Sequence, residues 1–319
     1  MTEVVFAVDI GGTKTTAALA DRADLVVDAA TAPTPAAEGP EAVVRTVAAL
    51  AAELVERAGG PGAVRVRGLG VATAGVVDVA AGAIVSSTDT FARWAGTPLA
   101  GRLREAFGGL LPPGAPIHVQ NDVDAHALGE SRHGAAAGAR SALVVAVGTG
   151  VGAGVVVDGE VLRGAHHVAG EIAHLPVPGA EHLRCPCGRA GHLEAIGSGV
   201  GLHRHYLALG GDPVAADARA VVARSRGGDP IARRALVESA VAVGRGIAGA
   251  VTLLDPERVV VTGGVAQIGE DWWTPMTAAF AAEVIDALQD VVIAPGELAA
   301  DAPLRGAAAS IWNECEVMT

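Results

Sequence analysis

Residues 4–21, VVFAVDIGGTKTTAALAD, decide the fold. Residues 4–10 form a β-branched, apolar run of the kind that fills a buried strand, and residues 15–21 read as a second. Between them stand only Gly11, Gly12, Thr13 and Lys14. A strand therefore delivers a Gly/Thr turn directly into another strand. The same form returns in other letters further on: strand 142–147, then Gly148, Thr149, Gly150, Val151 and Gly152, then strand 153–157. A Rossmann fingerprint needs a helix straight after its glycines, and neither turn has one. A P-loop needs Gly-Lys-Ser/Thr entering a helix, and Gly12-Thr13-Lys14 has another order and another successor. What remains is two β-hairpin turns whose N–H groups and threonine hydroxyls can face phosphates from two sides, a clamp for a nucleotide. Either turn alone reads as an ordinary Gly-rich turn. With 43 glycines in the chain, about six Gly-x-Gly triplets arise by chance, so the weight lies in the pairing.

Outward from these turns the pattern is α/β. Further strands are expected over residues 25–30, 66–72, 117–120, 259–262 and 291–294, with helices over 41–58, 123–132, 199–209, 216–224, 230–254, 274–288 and 303–314. Strand 66–72 runs into Thr73-Ala74-Gly75, strand 117–120 into Asn121-Asp122, and strand 259–262 into Gly263-Gly264. An Asn-Asp pair at that position reads first as a helix cap.

A second kind of chemistry occupies residues 170–194, GEIAHLPVPGAEHLRCPCGRAGHLE. His174, Cys185, Cys187 and His192 are enough to close a tetrahedral zinc shell. Prolines and glycines break regular structure throughout this stretch, so a metal would supply the rigidity that helices and strands do not. Zinc would then present Glu171, His174 and Glu194 to a polar substrate. The competing reading keeps the cysteines as small buried apolar residues, and a one-residue Cys-x-Cys gap is uncommon beside the two-residue one.

The totals bound the rest. A length of 319 residues suits two domains. A net charge of -12 argues against a general nucleic-acid binder, which needs a basic face. No apolar run is uninterrupted for the length of a membrane span, and the start MTEVVFAVDI lacks a basic region followed by a cleavable apolar core. Three cysteines do not make a disulfide scaffold. The expectation is an unexported protein of the reducing cytoplasm.

The ordered set Asp9-Ile10-Gly11-Gly12-Thr13-Lys14, Asn121-Asp122, Gly148 to Gly152, Gly170-Glu171-Ile172-Ala173-His174, Cys185-Pro186-Cys187-Gly188 and Val259 to Gly264 resembles the ROK (repressor, open reading frame, kinase) family of sugar kinases. The resemblance spans nearly the whole chain. It implies two ribonuclease-H-like α/β domains of the actin and hexokinase type, flanking a nucleotide and sugar cleft. The first would cover residues 1–120, completed by a C-terminal helix over 303–319, and the second 121–302 with the zinc loop. It implies ATP, Mg2+ and a structural Zn2+, no nucleic acid, no membrane, and a homodimer. Asp9, Gly11, Gly12, Thr13 and Lys14 would form one phosphate loop, with Asp9 near magnesium. Gly148, Thr149, Gly150 and Gly152 would form the second, and Gly263 and Gly264 would border the adenosine. Gly75, Thr88, Asn121, Asp122, Glu171, His174 and Glu194 would hold the sugar. Asp122 would be the general base for phosphoryl transfer to the 6-hydroxyl of a glucose-like hexose or amino hexose.

Three positions depart from the family pattern. His192 stands where a third cysteine is usual, Ala173 replaces a glycine, and the proline often found before Gly75 is missing. The last two border the sugar pocket. Family members also include sugar-responsive regulators, with a DNA-binding region ahead of the Asp-Ile-Gly-Gly-Thr motif. Eight residues precede Asp9 here, which favours the kinase over a regulator. A catalytically silent sugar sensor is the third alternative, and Asp122 with both phosphate turns argues against it.

Overall fold

The structure, a computed structural model, describes residues 2–88 and 90–317. Its chain divides into two compact units. Unit 1 holds the chain up to Ala137, the segment Gly159–Ala169 and everything from Ala300, and unit 2 holds Gly138–Asp158 and Gly170–Ala299.

Unit 1 is a mixed sheet with helices on both faces. In chain order it contains β1 (Thr2–Ile10), β2 (Lys14–Ala20), β3 (Val26–Pro33), α1 (Pro40–Arg57), β4 (Val64–Thr73), a small hairpin of β5 (Val76–Asp78) and β6 (Ala83–Ser86), α2 (Leu99–Phe107), β7 (Ile117–Asn121) and α3 (Asp122–His133). Strand β10 (Glu160–Val161) and helix α9 (Ala302–Val317) also belong here. Sheet order is β3-β2-β1-β4-β7, with β1 antiparallel to β2 and parallel to β4. The alternation within β1 explains the layers. Val4, Phe6, Val8 and Ile10 enter one core with α1 and α2, while Val5 and Ala7 face the other, against Leu304, Ala307 and Ile311 of α9. Each such fully buried large side chain is worth about 1.5–3 kcal/mol.

Helix α1 forms because Pro40 starts it without losing a needed N–H, Glu41 and Arg57 suit its two ends, and Val43, Val47, Leu50 and Leu54 line one buried stripe. Helix α9 lies almost on the backbone of its neighbours. A Cβ on Gly70 would stand 1.9 Å from the Ala307 carbonyl oxygen, and one on Gly306 would stand 1.8 Å from that of Ala125.

Unit 2 repeats the scheme with β8 (Ser141–Val147), β9 (Val151–Val157), α4 (Glu194–Gly197), α5 (Gly199–Ala208), α6 (Ala218–Arg226), α7 (Pro230–Leu254), β11 (Arg258–Thr262), α8 (Glu270–Glu283) and β12 (Val292–Pro295). Within it the strands run β9-β8-β11-β12, with β8 antiparallel to β9 and parallel to β11. Helix α7 has the length and hydropathy to cross a membrane, yet Ala235, Val243, Ile247 and Val251 are buried in this unit's core.

The sequence reading places a domain boundary after residue 120. The structure groups residues 121–137 and 159–169 with unit 1, because α3 packs along α9. The β5–β6 hairpin and α2 are additional to the expected elements. The helix expected over 274–288 is instead α8, starting at Glu270 and followed by a separate turn of 3-10 helix, Asp286–Leu288.

Candidate active site and metal cluster

In unit 1, three parallel strands end in line. Ile10 of β1 is in register with Thr73 of β4, and Thr73 with Asn121 of β7. Loops at the carboxyl edge of such a sheet are where ligands bind in α/β proteins. After β1 the chain turns through Gly11, Gly12 and Thr13, closed by the Gly11 N–H donating to the Lys14 carbonyl at 3.0 Å. Thr34 braces the turn: its hydroxyl donates to the Gly11 carbonyl at 2.7 Å and its N–H to that of Thr13 at 3.0 Å. A Cβ on Gly12 would fall 2.5 Å from a methyl carbon of Thr90.

Asp9 leads into this turn. Burial and the negative charge of Asp122 push its carboxyl up to about 7, against the pull of Lys14. Burial raises Asp122 as well, opposed by the Val123 amide that donates to its Oδ1 at 2.9 Å. Asn121 is the N-cap of α3: its Oδ1 accepts from Val123 and Asp124 at 2.8 and 3.3 Å. Its Nδ2 donates to the Gly75 carbonyl at 3.0 Å, tying the turn after β4 to the end of β7. Gly75 needs its glycine, with φ 109° and the Ser86 carbonyl 2.8 Å from any added Cβ. Thr88 is exposed and shares a 3.0 Å hydroxyl contact with Thr90.

In unit 2 the turn after β8 is closed by the Gly148 N–H donating to the Gly150 carbonyl at 2.9 Å, and leaves Thr149 and Gly150 exposed. Gly152 lies on β9, paired with Ala146. Gly263, with φ 95°, follows β11 and packs on the Val147 backbone, while Gly264 is exposed. A cavity of about 900 Å3 opens beside this edge, lined among others by Thr149, Val200, Ala218, Val222, Gly264 and Val265. Glu194 starts α4, and its Oε2 accepts from the Val151 N–H at 3.1 Å, so the carboxylate braces the glycine turn.

The metal loop of unit 2 folds back on itself as a knuckle. Antiparallel bridges join Pro176 to His192 and Arg184 to Ala190, and the Cys185 N–H donates to the Arg189 carbonyl at 2.8 Å. One donor atom from each of His174, Cys185, Cys187 and His192 lies within 4.8 Å of all the others. Cys185 Sγ stands 3.5 Å from His174 Nδ1, and Cys187 Sγ 3.3 Å from His192 Nδ1. Zinc bonds of about 2.1 and 2.3 Å at the tetrahedral angle give an N–S edge of about 3.6 Å, so the donor set fits zinc. Burial pushes the Cys185 thiol up to about 11. His174 turns Nδ1 to the cluster and Nε2 toward Glu171 Oε2, 3.6 Å away.

Thus Asp9, Gly11–Lys14, Gly75, Asn121 and Asp122 share the carboxyl edge of unit 1, and the metal ligands converge in unit 2. The brace Thr34, the close approach of Thr90 to Gly12, and the role of Glu194 toward Val151 are absent from the sequence reading. Their partners lie 21 to 78 residues away, and no local spacing signals them.

A family model described as "ROK family" matches residues 5–314. The chain is 34% identical over 306 residues to the bifunctional enzyme NanE/NanK of Brucella suis, covering 95% of this chain but 52% of that enzyme. It thus spans about half the length of that relative. Among solved structures, the ROK hexokinase of Thermus thermophilus is 33% identical with a TM-score of 0.85, covering 98% of this chain and 99% of that one. A ROK family glucokinase of Streptomyces griseus in complex with glucose and AMPPNP is 28% identical with a TM-score of 0.77, covering 96% and 98%. The fold is the two-domain α/β architecture of these hexokinases.

Proposed function

The chain belongs to the ROK family, and from that premise we propose that it is an ATP-dependent kinase phosphorylating the 6-hydroxyl of a glucose-like hexose or amino hexose. The observation that carries the reading is the pair Asp9 and Asp122, two partly buried carboxylates that repel one another at the ends of β1 and β7. Such a pair beside a glycine turn is relieved by a divalent cation.

Asp9 holds magnesium, and Gly11, Gly12, Thr13 and Lys14 hold phosphate oxygens. Bound magnesium supplies charge neutralisation on the transferring phosphoryl group. Gly148, Thr149, Gly150 and Gly152 form the second phosphate turn, and Gly263 and Gly264 border the adenosine, with Gly264 lining the 900 Å3 cavity. Asp122 takes the proton of the sugar 6-hydroxyl as that oxygen bonds to the γ-phosphorus and ADP leaves. Its burial-raised pKa strengthens it as a base. Gly75 and Asn121, hydrogen-bonded to each other, orient the sugar with Thr88, Glu171, His174 and Glu194. A structural zinc on His174, Cys185, Cys187 and His192 fixes the loop so that His174 Nε2 and Glu171 keep their places.

A panel of hexoses and amino hexoses with ATP and magnesium, scored by kcat/KM, tests the substrate class. On the preferred sugar, Asp122→Asn should lower kcat by about 10²–10⁴, the usual worth of a general base. An unchanged rate of ADP release would remove Asp122 from this role.

A further inference from the structure

The junction that carries Asn121 and Asp122 is gripped from outside by a single guanidinium. Arg163 Nη1 donates to Asp124 Oδ2 at 2.9 Å, and Nη2 donates to Gln120 Oε1, also at 2.9 Å. These anchors stand two residues before and two residues after Asp122. The same Nη2 lies 3.5 Å from His118 Nε2, and His118 Nδ1 meets Glu314 Oε1 at 2.6 Å. Gln120, fully buried, passes the grip on through Nε2 to Ser310 Oγ at 2.8 Å. Strand β7 is thereby tied to α9 at His118 and Gln120, which alternate onto one face.

The hinge needs such a grip. Asn121 is extended, with φ -62° and ψ 147°, and α3 begins at the next residue, so one peptide sets the angle between strand and helix. The Asn121 cap ties the first N–H groups of α3 but nothing on the strand before it. Arg163 spans both sides. The Arg163 and Asp124 side chains are only 23% and 15% exposed, so each charge depends on the other.

We infer that Arg163 is a positioning residue whose two-pronged grip on Gln120 and Asp124 sets the direction of the Asp122 carboxylate. This rests on Asp122 being the base of the proposed kinase. A lysine keeps the charge but offers one compact ammonium in place of a planar fork, so it cannot reproduce both bonds.

The full-length protein with Arg163→Lys, Arg163→Met, Asp124→Asn and the Arg163→Met/Asp124→Asn pair provides the test. On the preferred sugar, Arg163→Lys and Arg163→Met should lower kcat by about 10- to 100-fold with KM for sugar and ATP within about twofold, the pattern of misplaced reacting groups. The double variant should be no slower than Arg163→Met alone. Full kcat in Arg163→Lys, or a fall in Tm with kcat per folded molecule unchanged, overturns the inference. Hydrogen exchange over residues 119–126 reads the junction without any kinase assay. Faster exchange in Arg163→Lys, with Tm held, supports the grip, and unchanged exchange overturns it. Wild-type protein that phosphorylates no sugar ends the functional reading, while exchange still decides the grip.

Discussion

The turn after β1 and the turn after β8 share one plan. Each closes a hairpin, and each lies beside the end of a parallel strand, β4 in unit 1 and β11 in unit 2. Their surroundings differ. Around the first stand Asp9, Lys14 and Asp122, whose charges act on one another. The residues of the second, Gly148 to Gly152, carry no charge. The carboxylate that meets it, Glu194, is bonded to the Val151 N–H, and the edge opens onto the 900 Å3 cavity. One backbone device thus serves two ends: unit 1 concentrates charge at its turn, and unit 2 opens its turn onto a wide cavity whose charged residues, Asp217, Arg219 and Arg226, come from other elements. Unit 2 also brings His174, Cys185, Cys187 and His192 together as a candidate metal cluster, and no such cluster of His, Cys and carboxylates is found among the described residues of unit 1.

Three experiments strain this contrast. The largest effect should come from stripping metal with a chelator. A structural zinc contributes on the order of 10 kcal/mol at its own site, part of which reaches the whole unit. Tm should fall by about 10 °C or more, with hydrogen exchange quickening across residues 170–194 and unchanged across residues 11–14. Uniform quickening in both places would break the contrast.

Next is Asp9→Asn. Its rate on the preferred sugar should drop by about 10²–10³, the cost of losing a preorganised electrostatic group. Its stability should rise. Asp9 titrates near 3.8 unfolded and at about 7 folded, so the folded state pays nothing below pH 4, more as pH climbs between them, and the full penalty above 7. Removing the charge should add up to about 4 kcal/mol at pH 8 and nothing near pH 4. Tm measured at both pH values checks the sign, and a flat difference would sink it.

The smallest effect sharpens the contrast within unit 2. Gly263→Ala places a methyl 2.4 Å from the Val147 carbonyl oxygen at φ 95°, where neither backbone can yield. It should cost about 2–4 kcal/mol in urea unfolding. Gly148→Ala points into open space and should cost under about 0.5 kcal/mol.

Much of this was legible from the chain alone. The β-branched runs, the hairpin turns and the Asn-Asp pair after β7 declare themselves within a few residues, because strand burial and capping are local physics. The four metal ligands were nameable from type, but their convergence depends on a hairpin whose bridges join Pro176 to His192. The C-terminal helix was assigned to unit 1 through the resemblance, but the placement of residues 121–137 and 159–169 in that unit was not legible, since α3 follows α9, a partner from the far end of the sequence. Arg163 was equally silent: its partners Asp124 and Gln120 lie 39 and 43 residues away, and a lone arginine after a short strand carries no signature.

Helix α9 has a consequence for how the molecule is made. Strand β1 leaves the ribosome before any strand of unit 2, yet the residues that cover its second face, Leu304, Ala307 and Ile311, are translated after all of them. Nascent β1 must wait with Val5 and Ala7 bare, while unit 2, whose last strand β12 ends at Pro295, has all its strands and helices before α9 is translated. Birth order and folding order therefore run opposite ways, and the unit begun first is the one finished last.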